Sequence, residues 1–381
     1  MAKWNTECRF FNDKYACDTL SSENYKTCEE CRFSQKFSKK ILIIKLGAMG
    51  DVLRTTPILT AIKKKYGEEA LIYWMTSPES AEILQDNPLI DKVLQYNPEN
   101  ILRIQQEKFD MLFSLEIDTP STLLANLVNA GEKLGYFFDN GATSCFNKGS
   151  EAYLETAFLN HVKLKNKRTY QDLIFEACEL DYNKEKLIFN LQGSDIKFAN
   201  EFKEKNNILD SDRIIGINIG SADRWASKFW DIEKIKELIK KMPVNYKIII
   251  LAGPNEIEKQ RKLIEDLKTE GISLISNNPN NSFREFAAVV DLCDKVICGD
   301  TMILHLATVL NKTSIALFFS TSPWEIEDYQ LVDKIVSPLL EDYFYINSYI
   351  PELAESISVE QVLSLLKDVG SKITTNKNTP T

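Results

Sequence analysis

Short apolar runs rich in branched residues alternate along the chain with stretches of helical periodicity. Lys40-Ile41-Leu42-Ile43-Ile44-Lys45-Leu46 is apolar without polar alternation, the pattern of a parallel strand buried on both faces, and it ends at Gly47-Ala48-Met49-Gly50-Asp51. Residues 51–65 predict a helix: Val52, Leu53, Leu59 and Ile62 share a stripe, Pro57 falls in its early turns, and Gly67 ends it. Strands are expected at 70–75, 92–94 and 109–115, with a helix over 80–85. A second series reads strand 213–219, helix 231–241, strand 246–252, helices 256–269 and 283–292, strand 295–298, helix 301–310 and strand 313–319. Ser358-Val359-Glu360-Gln361 fits a capping box ahead of Val362, Leu363, Leu365 and Leu366. Such alternation predicts parallel sheets covered on both faces, in two α/β halves.

The 381 residues, at about 150 per domain, agree with two domains and an appendage. We divide the chain into a Cys-rich extension (1–38), an N-terminal Rossmann-like domain (39–192), a C-terminal Rossmann-like domain (193–350), a C-terminal helix (351–369) and a polar, disordered tail (370–381). Charged residues at 27% and hydrophobic residues at 44% are an ordinary globular balance. The net charge of −9 argues against general nucleic-acid binding, which needs a positive surface to displace counterions. It leaves room for a local basic site that takes a small anion. There is no run of 18 apolar residues, and Met1 to Phe11 lacks the apolar core of a secretory signal, so a cytoplasmic location is expected.

Four of the eight cysteines, Cys8, Cys17, Cys28 and Cys31, fall in the first 31 residues. In a reducing compartment such a cluster points to a structural zinc or iron site rather than to disulfides. The bland alternative is a set of unliganded thiols. With only two histidines, His161 and His305, and no H-E-x-x-H, a histidine-based metallohydrolase is disfavoured.

Ligands of doubly wound halves bind beyond the carboxyl ends of the strands, near the switch in strand order. Gly47 to Asp51 lies at such an end, and Asp51 is a candidate base whose bland reading is a helix cap. The turn is not G-x-G-x-x-G, which disfavours a dinucleotide dehydrogenase. In the second half, Cys298-Gly299-Asp300-Thr301 follows a strand and opens the helix carrying His305, an anion site suited to a diphosphate. Lys228, between Trp225 and Trp230, is a candidate phosphate clamp against a solvated lysine. Glu256 in Gly253-Pro254-Asn255-Glu256 is a candidate for ribose hydroxyls against a first-turn acid favoured by the helix dipole.

The segment Ile41-Leu42-Ile43-Ile44-Lys45-Leu46-Gly47-Ala48-Met49-Gly50-Asp51-Val52-Leu53-Arg54-Thr55-Thr56-Pro57 resembles the opening of glycosyltransferase family 9, the heptosyltransferases. The Lys228 segment, Gly253 to Glu256, Asp300-Thr301 with His305-Leu306-Ala307, and Phe318-Phe319-Ser320-Thr321-Ser322-Pro323 continue the resemblance in the same order. It implies the two-domain GT-B fold, with Rossmann-like domains facing across a cleft, and inverting transfer from an ADP-heptose-type nucleotide-diphospho-sugar. No cofactor is implied for catalysis. By resemblance Asp51 matches the general base and Lys228 the lysine on the donor phosphates. Gly50, Ser221, Gly253, Glu256, Asp300, Thr301 and His305 fall on the donor side. Met302 and Ser320 stand where the family usually has glycine, which bears on donor preference. The implied acceptor is a lipopolysaccharide core or another surface glycan, with peripheral contact at the inner face of the cytoplasmic membrane. Lys63-Lys64-Lys65 is a candidate for that contact, against a solvated helix face. The competing readings are a nucleotide-sugar epimerase on the same fold and a non-catalytic sugar-nucleotide or metal-binding scaffold.

Overall fold

The computed structural model describes residues 4–11, 17, 22–23, 25–220 and 230–367. The chain divides into two compact units: Met1–Glu155 with Gln171–Glu185, and Thr156–Tyr170 with Lys186–Thr381. The division differs from a single boundary near 192. Thr156–Tyr170 joins the second unit, where Lys163 Nζ donates to the Tyr345 hydroxyl at 2.6 Å and lies 3.5 Å from the Glu325 carboxylate. Gln192, expected at a linker, instead caps the helix Gly193–Lys205, its N–H donating to Asp195 Oδ2 at 2.7 Å.

The first unit holds β1 (Lys40–Ile44), β2 (Leu71–Thr76), β3 (Lys92–Gln95), β4 (Lys108–Ser114), β5 (Asn129–Asp139) and β6 (Ala142–Cys145), in the order β3-β2-β1-β4-β5-β6. All pairs are parallel except β5 with β6. Central β1 has Ile41 through Ile44 fully buried, as its unbroken apolar run requires. The second unit holds β7 (Arg213–Asn218), β8 (Tyr246–Leu251), β9 (Ile275–Ser276), β10 (Lys295–Gly299), β11 (Thr313–Phe318) and β12 (Val332–Val336), in the parallel order β12-β11-β10-β7-β8-β9. One face of this sheet packs Ile215, Ile217, Ile297 and Leu317 against Leu238, Leu263, Val362 and Leu366.

Pro57 divides the helix expected over 51–65 into Met49–Thr55 and Ile58–Tyr66. Proline has no N–H to give the Leu53 carbonyl, and that oxygen accepts the Thr56 N–H at 3.2 Å and the Thr56 hydroxyl at 2.8 Å instead. Gly67, at φ 90°, closes the second piece. The capping box at Ser358 is present: its N–H donates to Gln361 Oε1 at 2.8 Å, and the Gln361 N–H donates to its hydroxyl at 3.3 Å. The C-terminal helix is two helices, Pro351–Glu355 and Val359–Lys367; the tail at 370–381 lies outside the described residues.

In the Lys63-Lys64-Lys65 run Lys64 and Lys65 are exposed, but the three do not share one solvated face. Lys63 is buried and donates to the carbonyls of Glu68 at 3.1 Å and Ala70 at 2.8 Å, and Lys65 donates to that of Glu179 at 2.7 Å. No described helix is long and apolar enough to cross a membrane.

A buried ion pair ties helix Gly193–Lys205 to helix Phe283–Asp291: Arg284 reaches Asp195 Oδ2 through Nε at 3.0 Å and Nη2 at 2.7 Å. Burial disfavours the Asp195 charge, but the hydrogen bonds from Arg284 and the Gln192 N–H outweigh it and hold the carboxyl below the usual range. A depressed carboxyl contributes stability above its unfolded value and loses it as pH falls through the folded one. Asp195→Asn should therefore cost about 3 kcal/mol at neutral pH, and the difference from wild type should begin to shrink only below about pH 4, as the carboxyl of the unfolded chain takes up its proton, read by urea denaturation from pH 7 to about 2.

Candidate functional site

In each sheet the first strand is flanked by one neighbour reached by the next crossover and another reached later, so the crossovers diverge beside β1 and beside β7. The gap that opens at such a divergence lies between the carboxyl ends of β1 and β4 in the first unit, and of β7 and β10 in the second.

At the first gap, Gly47 follows β1 and Glu116 follows β4. Lys45, 1% exposed, places Nζ 2.8 Å from Glu116 Oε2 and donates to the Leu115 carbonyl at 3.0 Å. A β-carbon on Gly47 would lie 2.3 Å from Glu116 Oε2, so any larger residue there has to displace a carboxylate that Lys45 holds. The turn is held on its other side by the Ser80 hydroxyl, which donates to the Gly47 carbonyl at 3.2 Å. Gly50 and Asp51 then lie in the first turn of helix Met49–Thr55, whose N-cap is Ala48, so Asp51 is not the cap. Its carboxylate is partly exposed and pairs with Arg54 Nη2 at 2.8 Å. Lys45, Glu116, Asp51 and Arg54 thus form one alternating charge cluster around the turn.

At the second gap, Asn218 ends β7 and Asp300-Thr301 follows β10. Thr301 is the N-cap of helix Met302–Val309 and makes no side-chain cap bond; the Leu304 N–H donates to its carbonyl at 3.0 Å, and the N–H groups of Met302 and Ile303 stand at the helix end that favours an anion. His305 is buried one turn further on. Glu256, after β8, folds back: Oε2 accepts the Gly253 N–H at 3.0 Å, and the carboxylate lies against Gly220, where a β-carbon would meet its Cδ at 2.6 Å. Lys259 donates to the Ile219 carbonyl at 2.8 Å. Burial pushes its ammonium below the usual lysine range, opposed by the Glu256 and Asp231 charges. Ser221 and Lys228 lie outside the described residues; Trp230, just beyond them, is anchored by an indole N–H donated to the Ile357 carbonyl at 3.1 Å.

Asn218 Oδ1, Thr301 Oγ1 and Ser320 Oγ are buried without a hydrogen-bond partner. They sit beyond β7, β10 and β11, adjacent in the sheet. Buried polar atoms are almost always paired, so three orphans at neighbouring strand ends make this a candidate place for a polar ligand, although Ser114 and Thr76 give the first unit similar orphans. Sequence reasoning named Thr301 but missed Asn218 as well as Glu116 and Lys259; Ser320 was noted only for its size.

The structure does not gather Cys8, Cys17, Cys28 and Cys31 into a metal shell: no group of three or more His, Cys, Asp or Glu among the described residues is arranged to hold an ion. All four are half-buried free thiols. Their segment is fixed at the other end of the sheet, where Arg9 binds Asp91 at 2.6 Å and the carbonyls of Glu68 at 3.0 Å and Ala70 at 2.9 Å, just ahead of β2 and β3.

Two doubly wound parallel units are the architecture of the GT-B fold, and comparison with solved structures agrees. A family 9 glycosyltransferase from Veillonella parvula matches with a TM-score of 0.69 at 20% identity, covering 87% of this chain and 97% of that one. Escherichia coli ADP-heptose lps heptosyltransferase II matches with a TM-score of 0.63 at 14% identity, covering 86% and 98%. Lipooligosaccharide heptosyltransferase 2 of Campylobacter jejuni is 24% identical over 297 residues, 74% of this chain and 84% of the relative. The sequence model of glycosyltransferase family 9 (heptosyltransferase) matches residues 101–342. The chain belongs to that family. The match spans the second gap and Glu116 but begins after the Gly47–Asp51 turn.

Gly47→Ala should lower stability by about 1–3 kcal/mol, because the tethered Glu116 carboxylate has to move. Gly193→Ala, whose β-carbon meets nothing within 4 Å, is the control and should leave the melting temperature unchanged.

Proposed function

We propose that this enzyme transfers heptose from an ADP-heptose-type donor to a hydroxyl of a lipopolysaccharide core or related surface glycan, with inversion. The observation that carries the reading is the set of orphaned oxygens beside an open helix start at the second gap, in a chain whose relatives are named as heptosyltransferases. A sugar diphosphate brings the hydroxyls and the negative charge that such a set lacks.

Inversion at an anomeric carbon needs one base opposite the leaving group. The acceptor oxygen forms the new bond to that carbon as the bond to the diphosphate oxygen breaks, and Asp51 takes the acceptor proton. Arg54 favours the ionised carboxylate beforehand, and the Lys45–Glu116 pair fixes the turn that carries it. Charge gathering on the departing nucleotide diphosphate meets the start of helix Met302–Val309, with Lys228 and Lys259 as the cations of this side. Glu256 takes the ribose hydroxyls. A surface-glycan acceptor places the work at the inner face of the cytoplasmic membrane.

Asp51→Asn should bind ADP as wild type does and lose transfer by about 10²–10⁴-fold, measured by calorimetry and by mass analysis of products. Near-normal turnover would remove the base, and an altered donor sugar formed without acceptor would indicate epimerisation. Thr301→Val deletes a hydroxyl that has no partner in the free protein, so stability should hold or rise while affinity for the nucleotide sugar falls about tenfold.

A further inference from the structure

On the second unit, the short helix Asn160–Lys165 brings basic and apolar side chains together at the surface. Contacts of its segment pin it to the chain after β11: Lys163 reaches Glu325 and Tyr345, and the Lys167 ammonium sits 4.4 Å from the centre of the Trp324 ring. Phe158 is 61% exposed, Leu159 43% and Trp324 48%. His161, Lys165 and Lys167 are exposed as well. The helix is roughly 9 Å long, so the apolar pair at its start and the lysines at its end share one small area.

The basic run at this surface stands against the charge of the whole molecule, with Glu325, beside Trp324, paired to Lys163. The chain carries −9, yet residues 161–168 hold Lys163, Lys165, Lys167 and Arg168 and no acid. Three large exposed apolar groups beside such a run fit an anionic bilayer, where the rings enter the headgroup region and lysines reach lipid phosphates. Trp324 under a lysine is the amphipathic pairing found at a lipid–water boundary. An acidic protein would answer the lysines but would also need a matching apolar surface.

We propose that Phe158, Leu159, Lys165, Lys167 and Trp324 form a docking surface for an anionic phospholipid membrane. This deepens the surface-glycan reading by naming the surface that brings the enzyme to its acceptor, and only the purpose of the contact rests on that reading. The binding needs neither donor nor acceptor.

The test is sedimentation of the full chain with vesicles of phosphatidylcholine alone or mixed with phosphatidylglycerol, at low and high salt. The expected result is binding to the anionic vesicles, weakened by salt, with a blue shift in tryptophan emission that W324F abolishes. K165Q/K167Q should lose about 25-fold in partition, at about fivefold per lysine. F158S/L159S should lose about tenfold, with the melting temperature of both variants unchanged. Equal partition to neutral vesicles, no partition at all, variants that bind like wild type, or an emission shift that survives W324F would each overturn the proposal. Vesicle binding intact in a protein that transfers no heptose would instead sink the transfer reading alone.

Discussion

Parallel strands cannot be joined by hairpins, so each connection must cross a face of the sheet before the next strand begins. That constraint makes crossovers diverge on either side of β1 and of β7 and leaves a gap at the strand ends that no connection fills. The Lys45–Glu116 and Asp51–Arg54 pairs lie beside the first of those gaps, and Asn218, Thr301 and Glu256 beside the second.

The two gaps solve different electrostatic problems. Around Gly47 the charges are paired, Lys45 with Glu116 and Asp51 with Arg54, while the Ser114 and Thr76 hydroxyls at the ends of β4 and β2 are buried without a hydrogen-bond partner. A buried pair of that kind adds little net stability, but it makes the position of the turn costly to change. Around Thr301 the set is incomplete in the free protein, with three oxygens lacking partners and a lysine whose charge is disfavoured by burial. A preorganised set of unmet groups suits a ligand that arrives charged and rich in hydroxyls, since little reorganisation accompanies its binding.

The apolar runs made β1, β2, β4, β7, β8, β10 and β11 legible because central strands buried on both faces write themselves as unbroken hydrophobic stretches. Strands β5 and β6 escaped notice: Asn129, Glu132 and Asp139 interrupt the first, and Ala142 is exposed in the second, as expected at an edge that faces water. The two-residue β9 is too short to leave a pattern. Asp51, Glu256 and Thr301 could be singled out because each follows an apolar run directly. Glu116 and Asn218 could not, since their roles come from partners or neighbours distant in sequence that only the sheet brings near. The exchange of Thr156–Tyr170 into the second unit was hidden for the same reason, resting on contacts with Tyr345 and Glu325.

Among its described residues the cysteine-bearing segment has no buried one before Ile41, and Arg9 clamps it beneath the amino ends of β2 and β3. The Gly47–Asp51 turn leaves from the opposite end of the strands of the same sheet. A segment held there does not crowd the Gly47–Asp51 turn, and the fold keeps the cysteines and that turn apart by the full length of its strands.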